Sequence, residues 1–382
     1  MSAPAETIPI TILTGFLGAG KSTLLNRILK DPAMREAAVI INEFGDVGID
    51  HLLVESSGDS IIELSDGCLC CTVRGELVDT LANLMDGMQT GRLRTVKRIV
   101  IETTGLADPA PVMQAIMGNP VIAANFDLDG IVTVVDAVNG IATLDHHEEA
   151  RRQVAVADRL IVSKARLDGA QPPAALEDRL RALNPRAEIL DADSPEAGRA
   201  AVLVNGLYDP GSKIADVGRW LRDEDGHDHD HSHHHHDDGH HHHHGHAGQD
   251  PHDVNRHDAS IRSFSIVEEK PIDPMALEMF IDLLRSAHGE RLLRMKAIVA
   301  VSDRPERPLV LHGVQSIFHP PVRLAAWPDP QDRRTRMVLI TKDLPEAFVK
   351  DLFDAFLGKP RVDRPDRAAL NDNPLAVPGL RL

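Results

Sequence analysis

The chain has 382 residues, 42% of them hydrophobic, and a formal net charge of −17 with histidines neutral. That length makes two domains the starting expectation, and the acidity argues against general binding to nucleic-acid phosphates. No stretch approaches the ~18 consecutive apolar residues of a membrane span. The opening MSAPAETIP has neither the basic nor the apolar region of a secretory signal, so the expected location is the cytoplasm, away from any membrane.

In chain order, Ile8 to Leu13 is an apolar, β-branched run that reads as a buried strand. Gly15-Phe16-Leu17-Gly18-Ala19-Gly20-Lys21-Ser22 follows and matches G-x-x-x-x-G-K-[ST], with Thr23 to Leu29 starting a helix. Strand, glycine loop and helix in that order are the context this phosphate-binding motif needs. Its backbone N–H groups turn inward around phosphate oxygens, and the helix N-terminus adds partial positive charge. Lys21 is placed to reach the β- and γ-phosphates and Ser22 to hold Mg²⁺.

Residues 37–41 read as a second strand, running into the loop Asn42-Glu43-Phe44-Gly45-Asp46-Val47-Gly48. Residues 60–64 form a short strand, 73–89 a helix, and 98–102 a strand ending in Glu102 ahead of Thr103-Thr104-Gly105. Another buried strand covers 130–136 and ends in Asp136, followed by a helix at 146–158 and a strand at 159–163. Strands alternating with helical crossovers indicate a parallel α/β sheet with helices on both faces. In such sheets ligands bind beyond the carboxyl ends of the strands, which is where Ser22, Asp46, Glu102 and Asp136 fall.

Three cysteines occur, all within Cys68-Leu69-Cys70-Cys71. Clustered and odd in number, they suit a thiolate metal site better than a disulfide. Buried small apolar cysteines are the alternative. A turn this short gives two or three ligands and leaves an open Zn²⁺ position, which Glu43, Asp46 or water could complete.

From about residue 222 the pattern changes. Residues 223–258 hold ten acidic residues and one Arg, and 227–246 contain thirteen histidines. With no apolar face the segment is expected to be a disordered linker, serving either as a solvated spacer or as a secondary metal-binding tract. A small α+β unit follows. Strands are expected at 261–267, 294–301, 308–315 and 336–341 and helices at 273–287 and 344–357, the first helix capped by Asp273 with Pro274 at its first position. The resulting division is 1–221 for the nucleotide domain, 222–259 for the linker, 260–345 for the second domain and 346–382 for a final helix and loose tail.

Around the phosphate loop, Glu102 and Gly105 fit a switch-type E-x-x-G, an acid at a strand end followed by a glycine whose N–H can contact the γ-phosphate. Glu43 and Asp46 lie on a glycine-flanked loop able to close over Mg²⁺ or the terminal phosphate. Each acid alone also reads as a solvated loop carboxylate. Their joint placement about one loop raises Lys21, Glu102 and Asp46 as the catalytic candidates.

The stretches TGFLGAGKST, INEFGDVGID, GCLCCT, IETTGLADPAP and VVDA, with LLRMKAIVAV and LHGVQ further on, together resemble the CobW-like GTPases, metal-handling P-loop proteins related to the nickel-insertion GTPases. The likeness spans about residues 8 to 345, excluding the histidine tract. It implies GTP/GDP with Mg²⁺ at Gly15, Gly18, Ala19, Gly20, Lys21, Ser22, Thr23, Gly105, Ser163 and Lys164. It also implies Zn²⁺ at Cys68, Cys70 and Cys71 and transfer of that zinc to a client metalloenzyme, with a homodimer left open. One departure stands out. Where the resemblance implies N-K-x-D, the chain has Ser163-Lys164-Ala165-Arg166, with Asp168 two residues late. Losing a charge-assisted contact to guanine costs roughly 1.5–3 kcal/mol, which weakens the expected preference for GTP over ATP. Two other readings are a metal-buffering protein built on the histidine tract and a small-molecule kinase, which leaves C-x-C-C without a use.

Overall fold

In a computed structural model the described residues are 7–42, 61–63, 72–166, 174–204 and 261–359. Expectations that fall elsewhere, namely Glu43, Asp46, Cys68, Cys70, Cys71, Asp168, the tract 227–246 and the tail, lie outside them.

Chain order gives β1 (Ile8–Gly15), α1 (Lys21–Ile28), β2 (Ala37–Asn42), β3 (Ile61–Glu63), α2 (Thr72–Gln89), β4 (Arg98–Thr103), α3 (Ala110–Gly118), α4 (Pro120–Ala123) and β5 (Phe126–Asp136). Then come α5 (Gly140–His146), α6 (Glu148–Ala155), β6 (Arg159–Ser163), α7 (Ala174–Leu183) and β7 (Glu188–Asp191). The seven strands form one sheet in the order β3-β2-β4-β1-β5-β6-β7, every pairing parallel. Alternation along each strand explains the near-continuous apolar runs. Ile10, Ile12, Ala38, Ile40, Ile99 and Ile101 face α2 and α3. Leu13, Val39, Ile41, Val100 and Val132 face Leu24, Leu25 and Ile28 of α1.

The second unit contains β8 (Ile261–Glu268), α8 (Pro274–His288), β9 (Leu292–Val299), β10 (Leu309–Val314), β11 (Ile317–Phe318), β12 (Val322–Arg323), β13 (Thr335–Lys342) and α9 (Glu346–Phe356). Its antiparallel sheet runs β11-β10-β9-β13-β8, with β12 beside β10. Helices α8 and α9 cover one face through Leu277, Phe280, Leu284, Val349 and Phe353. Asp273 caps α8 as expected, its carboxylate accepting from the N–H groups of Met275 and Ala276.

The other face of this sheet lies along α3 and α6. Leu293, Val314 and Ile340 join the core under α3, and Ile317 packs on Gly118. Arg294 donates to the Val156 carbonyl and to Asp158, which also pairs with Lys296. Asp158 immediately precedes β6, so the second sheet meets the first at the amino ends of its strands, opposite the phosphate loop.

Some elements differ from expectation. The helix expected at 146–158 is the shorter α6, Glu148–Ala155, and a separate helix, α5, precedes it, the two divided at His147, which is extended (φ −122°, ψ 117°). Strand β5 begins at Phe126, four residues early, and pairs with β1 across a register shift at Ile10/Thr11. Helices α3, α4, α5 and α7 and strands β7, β11 and β12 lie outside the expected elements.

Candidate functional site

The loop Gly15–Gly20 leaves β1 and enters α1. Gly15, Gly18 and Gly20 take φ of +140°, +71° and +93°, a region that favours glycine. At Gly15 the constraint is also steric, since a Cβ would sit 2.3 Å from the Val134 carbonyl oxygen. Lys21 and Ser22 open α1 and are nearly buried.

The next strand, β4, brings Glu102 to the same place. Ser22 Oγ donates to Glu102 Oε1 at 2.8 Å, with both side chains buried. Thr103 Oγ1 donates to Thr14 Oγ1 at 2.8 Å, tying the two strand ends together. Beyond them the chain passes tightly over the phosphate loop at Gly105, where a Cβ would lie 2.5 Å from Leu17 N. No side chain fits there, which is the physical reason for glycine three residues after Glu102.

Strand β6 closes the other side. Ser163 Oγ donates to the Ala19 carbonyl at 2.6 Å, so this hydroxyl braces the phosphate loop. Lys164 follows in the left-handed region at φ +61°, and its Nζ donates to Asp136 Oδ2 at 2.9 Å. Burial works to raise the Asp136 pKa. The Lys164 ammonium, the Asn139 amide and the N–H groups of Val138 and Asn139 outweigh it, and the carboxyl stays below its ordinary range. Arg166 turns outward, with contacts to Asp191 at the end of β7 (3.6 Å) and to Asp193 just beyond it (3.7 Å).

The structure therefore brings Ser22, Glu102 and Gly105 together at the loop. Ser163 and Lys164 with Asp136 form a second group beside it. Two contributors lie outside the sequence expectations. Gln153 of α6 donates to the carbonyls of Gly105 (3.2 Å) and Ala107 (2.9 Å). Arg152 of the same helix donates to Asp108 at 2.6 Å. A cavity of roughly 180 Å³ lies between the loop, the end of β5, α5 and α6, with Phe16, Asp136, Asn139 and Gln153 among its walls. Phe16 also packs on the His147 ring, 4.4 Å between centroids. Among the described residues no group of three or more His, Cys, Asp or Glu is arranged to hold a metal. No described helix is long and apolar enough to cross a membrane.

Residues 9–191 match the family model described as CobW/HypB/UreG, nucleotide-binding domain, and residues 261–357 match the cobalamin synthesis protein cobW C-terminal domain. The zinc chaperone YjiA of Escherichia coli is 30% identical over 350 residues, covering 91% of this chain and 98% of that protein. The chain belongs to the CobW/HypB/UreG family. A second member, the zinc chaperone CobW of a Sinorhizobium species, is 30% identical over 92% of this chain and 97% of its own length. The zinc-regulated GTPase metalloprotein activator 1 of Schizosaccharomyces pombe is 37% identical over 193 residues, 49% of this chain and 46% of that one. Among solved structures, the Zn(II)-bound YjiA GTPase from E. coli superposes with a TM-score of 0.61 at 26% identity, over 92% of this chain and 99% of that one. As a CobW/HypB/UreG member the chain combines a P-loop parallel sheet with a small α+β second domain, as the sequence analysis expected, and the sheet of that second domain is antiparallel.

Proposed function

We propose that this CobW/HypB/UreG member is a GTP-hydrolysing metallochaperone that binds Zn²⁺ through Cys68, Cys70 and Cys71 and hands it to a client metalloenzyme under nucleotide control. The observation that carries the nucleotide half is the buried Ser22–Glu102 pair at the mouth of a glycine loop, with Gly105 packed across that loop. Two hard oxygen donors side by side fit Mg²⁺, whose chemistry there is to neutralise charge on the β- and γ-phosphate oxygens. Lys21 adds a fixed positive charge at the same phosphates, and the Gly105 N–H can donate to the γ-phosphate. Water then attacks the γ-phosphorus, the bond to the β-phosphate bridging oxygen breaks, and GDP and phosphate leave. Asp46 is the acid assigned to the closing loop.

The zinc half is supported by the names of the relatives, two of them zinc chaperones and one a zinc-regulated activator. On this reading Cys68, Cys70 and Cys71 form an open thiolate site, with Glu43 or Asp46 able to complete it, and Zn²⁺ is cargo. The protein works in the cytoplasm, as a monomer or a homodimer. A storage role for residues 227–246 is the second reading. A Zn(II)-bound YjiA structure in which one glutamate and two cysteines are replaced by alanine favours keeping it, since that relative binds zinc beyond those three residues.

The test is Zn²⁺ affinity with no nucleotide, with GDP and with non-hydrolysable GTP and ATP analogues, each with Mg²⁺. It is run on the full chain and on a chain lacking 227–246. A change with the GTP analogue that Cys70→Ser abolishes is the expected result, and linkage requires zinc to alter GTP affinity by the same factor. Nucleotide-independent zinc binding lost with 227–246 would move the assignment to storage.

A further inference from the structure

Helix α6 does more than cover the sheet. Its Gln153 is 1% exposed and donates both amide hydrogens to backbone carbonyls of one loop, those of Gly105 and Ala107. Its own carbonyl accepts from Thr133 Oγ1 of β5 at 2.8 Å. One turn of the loop further on, Arg152 Nη1 donates to Asp108 Oδ2, while Asp108 Oδ1 accepts from the Ala110 N–H and so starts α3. The segment that crosses the phosphate loop is thus held by two adjacent α6 side chains.

The charges continue outward. Arg152 Nε donates to Glu148 Oε1 at 2.9 Å, and the same carboxylate accepts from Lys342 at the end of β13 in the second domain. Asp108, Arg152, Glu148 and Lys342 alternate in sign along one line from the Gly105 loop to the second sheet. The arrangement is partly shielded, with Arg152 and Asp108 side chains 26% exposed, so it is less screened than a surface pair. On the other side of the loop, α3 contacts the same sheet through Gln114 with Gln315 and through Gly118 with Ile317.

We propose that Gln153 and Arg152 are positioning residues for GTP hydrolysis, holding the Gly105–Asp108 loop over the phosphate loop, and that Glu148–Lys342 makes that hold depend on the seating of the C-terminal sheet. The inference rests on the GTPase reading above. It assigns neither residue a contact with nucleotide. Gly105 meets only the γ-phosphate in that reading, so loosening it affects GTP and spares GDP. A purely structural role would weaken both.

The experiment uses the full chain with Mg²⁺. It measures single-turnover GTP hydrolysis and the affinities for GDP and a non-hydrolysable GTP analogue. Gln153→Met keeps length and removes both donors, Arg152→Met removes the charge, and Arg152→Lys retains it. The Met variants are expected to slow hydrolysis and weaken the GTP analogue on the order of tenfold, with GDP affinity unchanged. Arg152→Lys recovers most of the loss. Lys342→Met, remote from the loop, moves the GTP-to-GDP affinity ratio the same way by about threefold. Equal losses for GDP and the GTP analogue, or an unchanged ratio, overturn the proposal. If Gln153→Met does not fold, the two Arg152 variants decide it. A wild-type chain that binds GDP and GTP but does not hydrolyse GTP, or that binds no nucleotide, defeats the GTPase reading itself, whatever the variants do.

Discussion

At the scale of single residues, the site is set by close approach and by one exchange of charge. Gly15 combines φ +140° with a Cβ position 2.3 Å from the Val134 oxygen. Gly15→Ala must therefore strain the backbone and push β5 from β1, and it is expected to cost on the order of 3 kcal/mol, read as a shift in urea midpoint. The corner after β6 departs from the pattern the family resemblance implies. Ser163 lies where the family resemblance implies Asn, and its hydroxyl donates to the Ala19 carbonyl, so this short side chain braces the phosphate loop. Arg166 lies where that resemblance implies Asp, and its guanidinium is 70% exposed beside Asp191 and Asp193. An arginine supplies donors only, whereas guanine N1–H and the 2-amino group need an acceptor. Arg166→Asp is expected to raise the ratio of GTP to ATP affinity by about tenfold, one charge-assisted hydrogen bond. A competition titration with the two nucleotides checks it, and an unchanged ratio would mean that base selectivity is set elsewhere.

At the scale of elements, the strands were legible because they are buried on both faces and so read as unbroken β-branched runs. β1, β2, β4 and β6 stand within two residues of expectation. α8 was legible from its cap, and Asp273→Ala is expected to cost about 1 kcal/mol of second-domain stability by thermal unfolding. α7 carries Leu176, Leu180 and Leu183 at helical spacing, so its sequence held the signal. α3 did not, since APVMQAIMG is apolar nearly all round, follows Pro109 and contains Pro111 in its first turn, and without a polar face there is no helical period to read. The phosphate loop, Glu102 and Gly105 were legible because their chemistry is local. Gln153 and Arg152 were not. On an amphipathic helix, polar residues that hold a distant loop look the same as polar residues that face water, and only the fold brings residues 105–108 to them. The break between α5 and α6 at His147 was equally hidden, being a backbone choice that places Phe16 against an imidazole.

At the scale of the whole molecule, the two sheets are joined by a buried electrostatic centre. Asp158 lies between Arg294, whose side chain is 3% exposed, and Lys296, and Asp158 Oδ2 also accepts from the Ile131 N–H. Burial would raise the Asp158 pKa, but the two cations outweigh it and hold the carboxyl well below its ordinary 3.8. Asp158→Asn leaves both cations without their carboxylate and is expected to cost about 3–5 kcal/mol. Arg294 also donates to His312 Nε2 at 3.3 Å, so His312 is neutral with its proton on Nδ1. Burial, then the charges of Arg294 and Lys296, push its pKa well below 6.5. The unfolded chain therefore binds a proton at His312 below pH 6.5 that the folded chain refuses. His312 thus contributes stability that is complete above that value and lost as pH falls towards the folded pKa, at up to about 1.4 kcal/mol per pH unit. Asp158 does not titrate in this window. Its contribution, with the pKa lowered from 3.8, is full above the unfolded value and goes only under stronger acid. Urea midpoints between pH 5 and 8 should consequently fall on the acid side in the wild type. His312→Gln, which keeps a side-chain acceptor for Arg294 but has no titrating group, should flatten that fall while leaving the midpoint at pH 8 nearly unchanged. Parallel slopes for the two proteins would show that His312 takes no part in the acid response and that the fall comes from other groups.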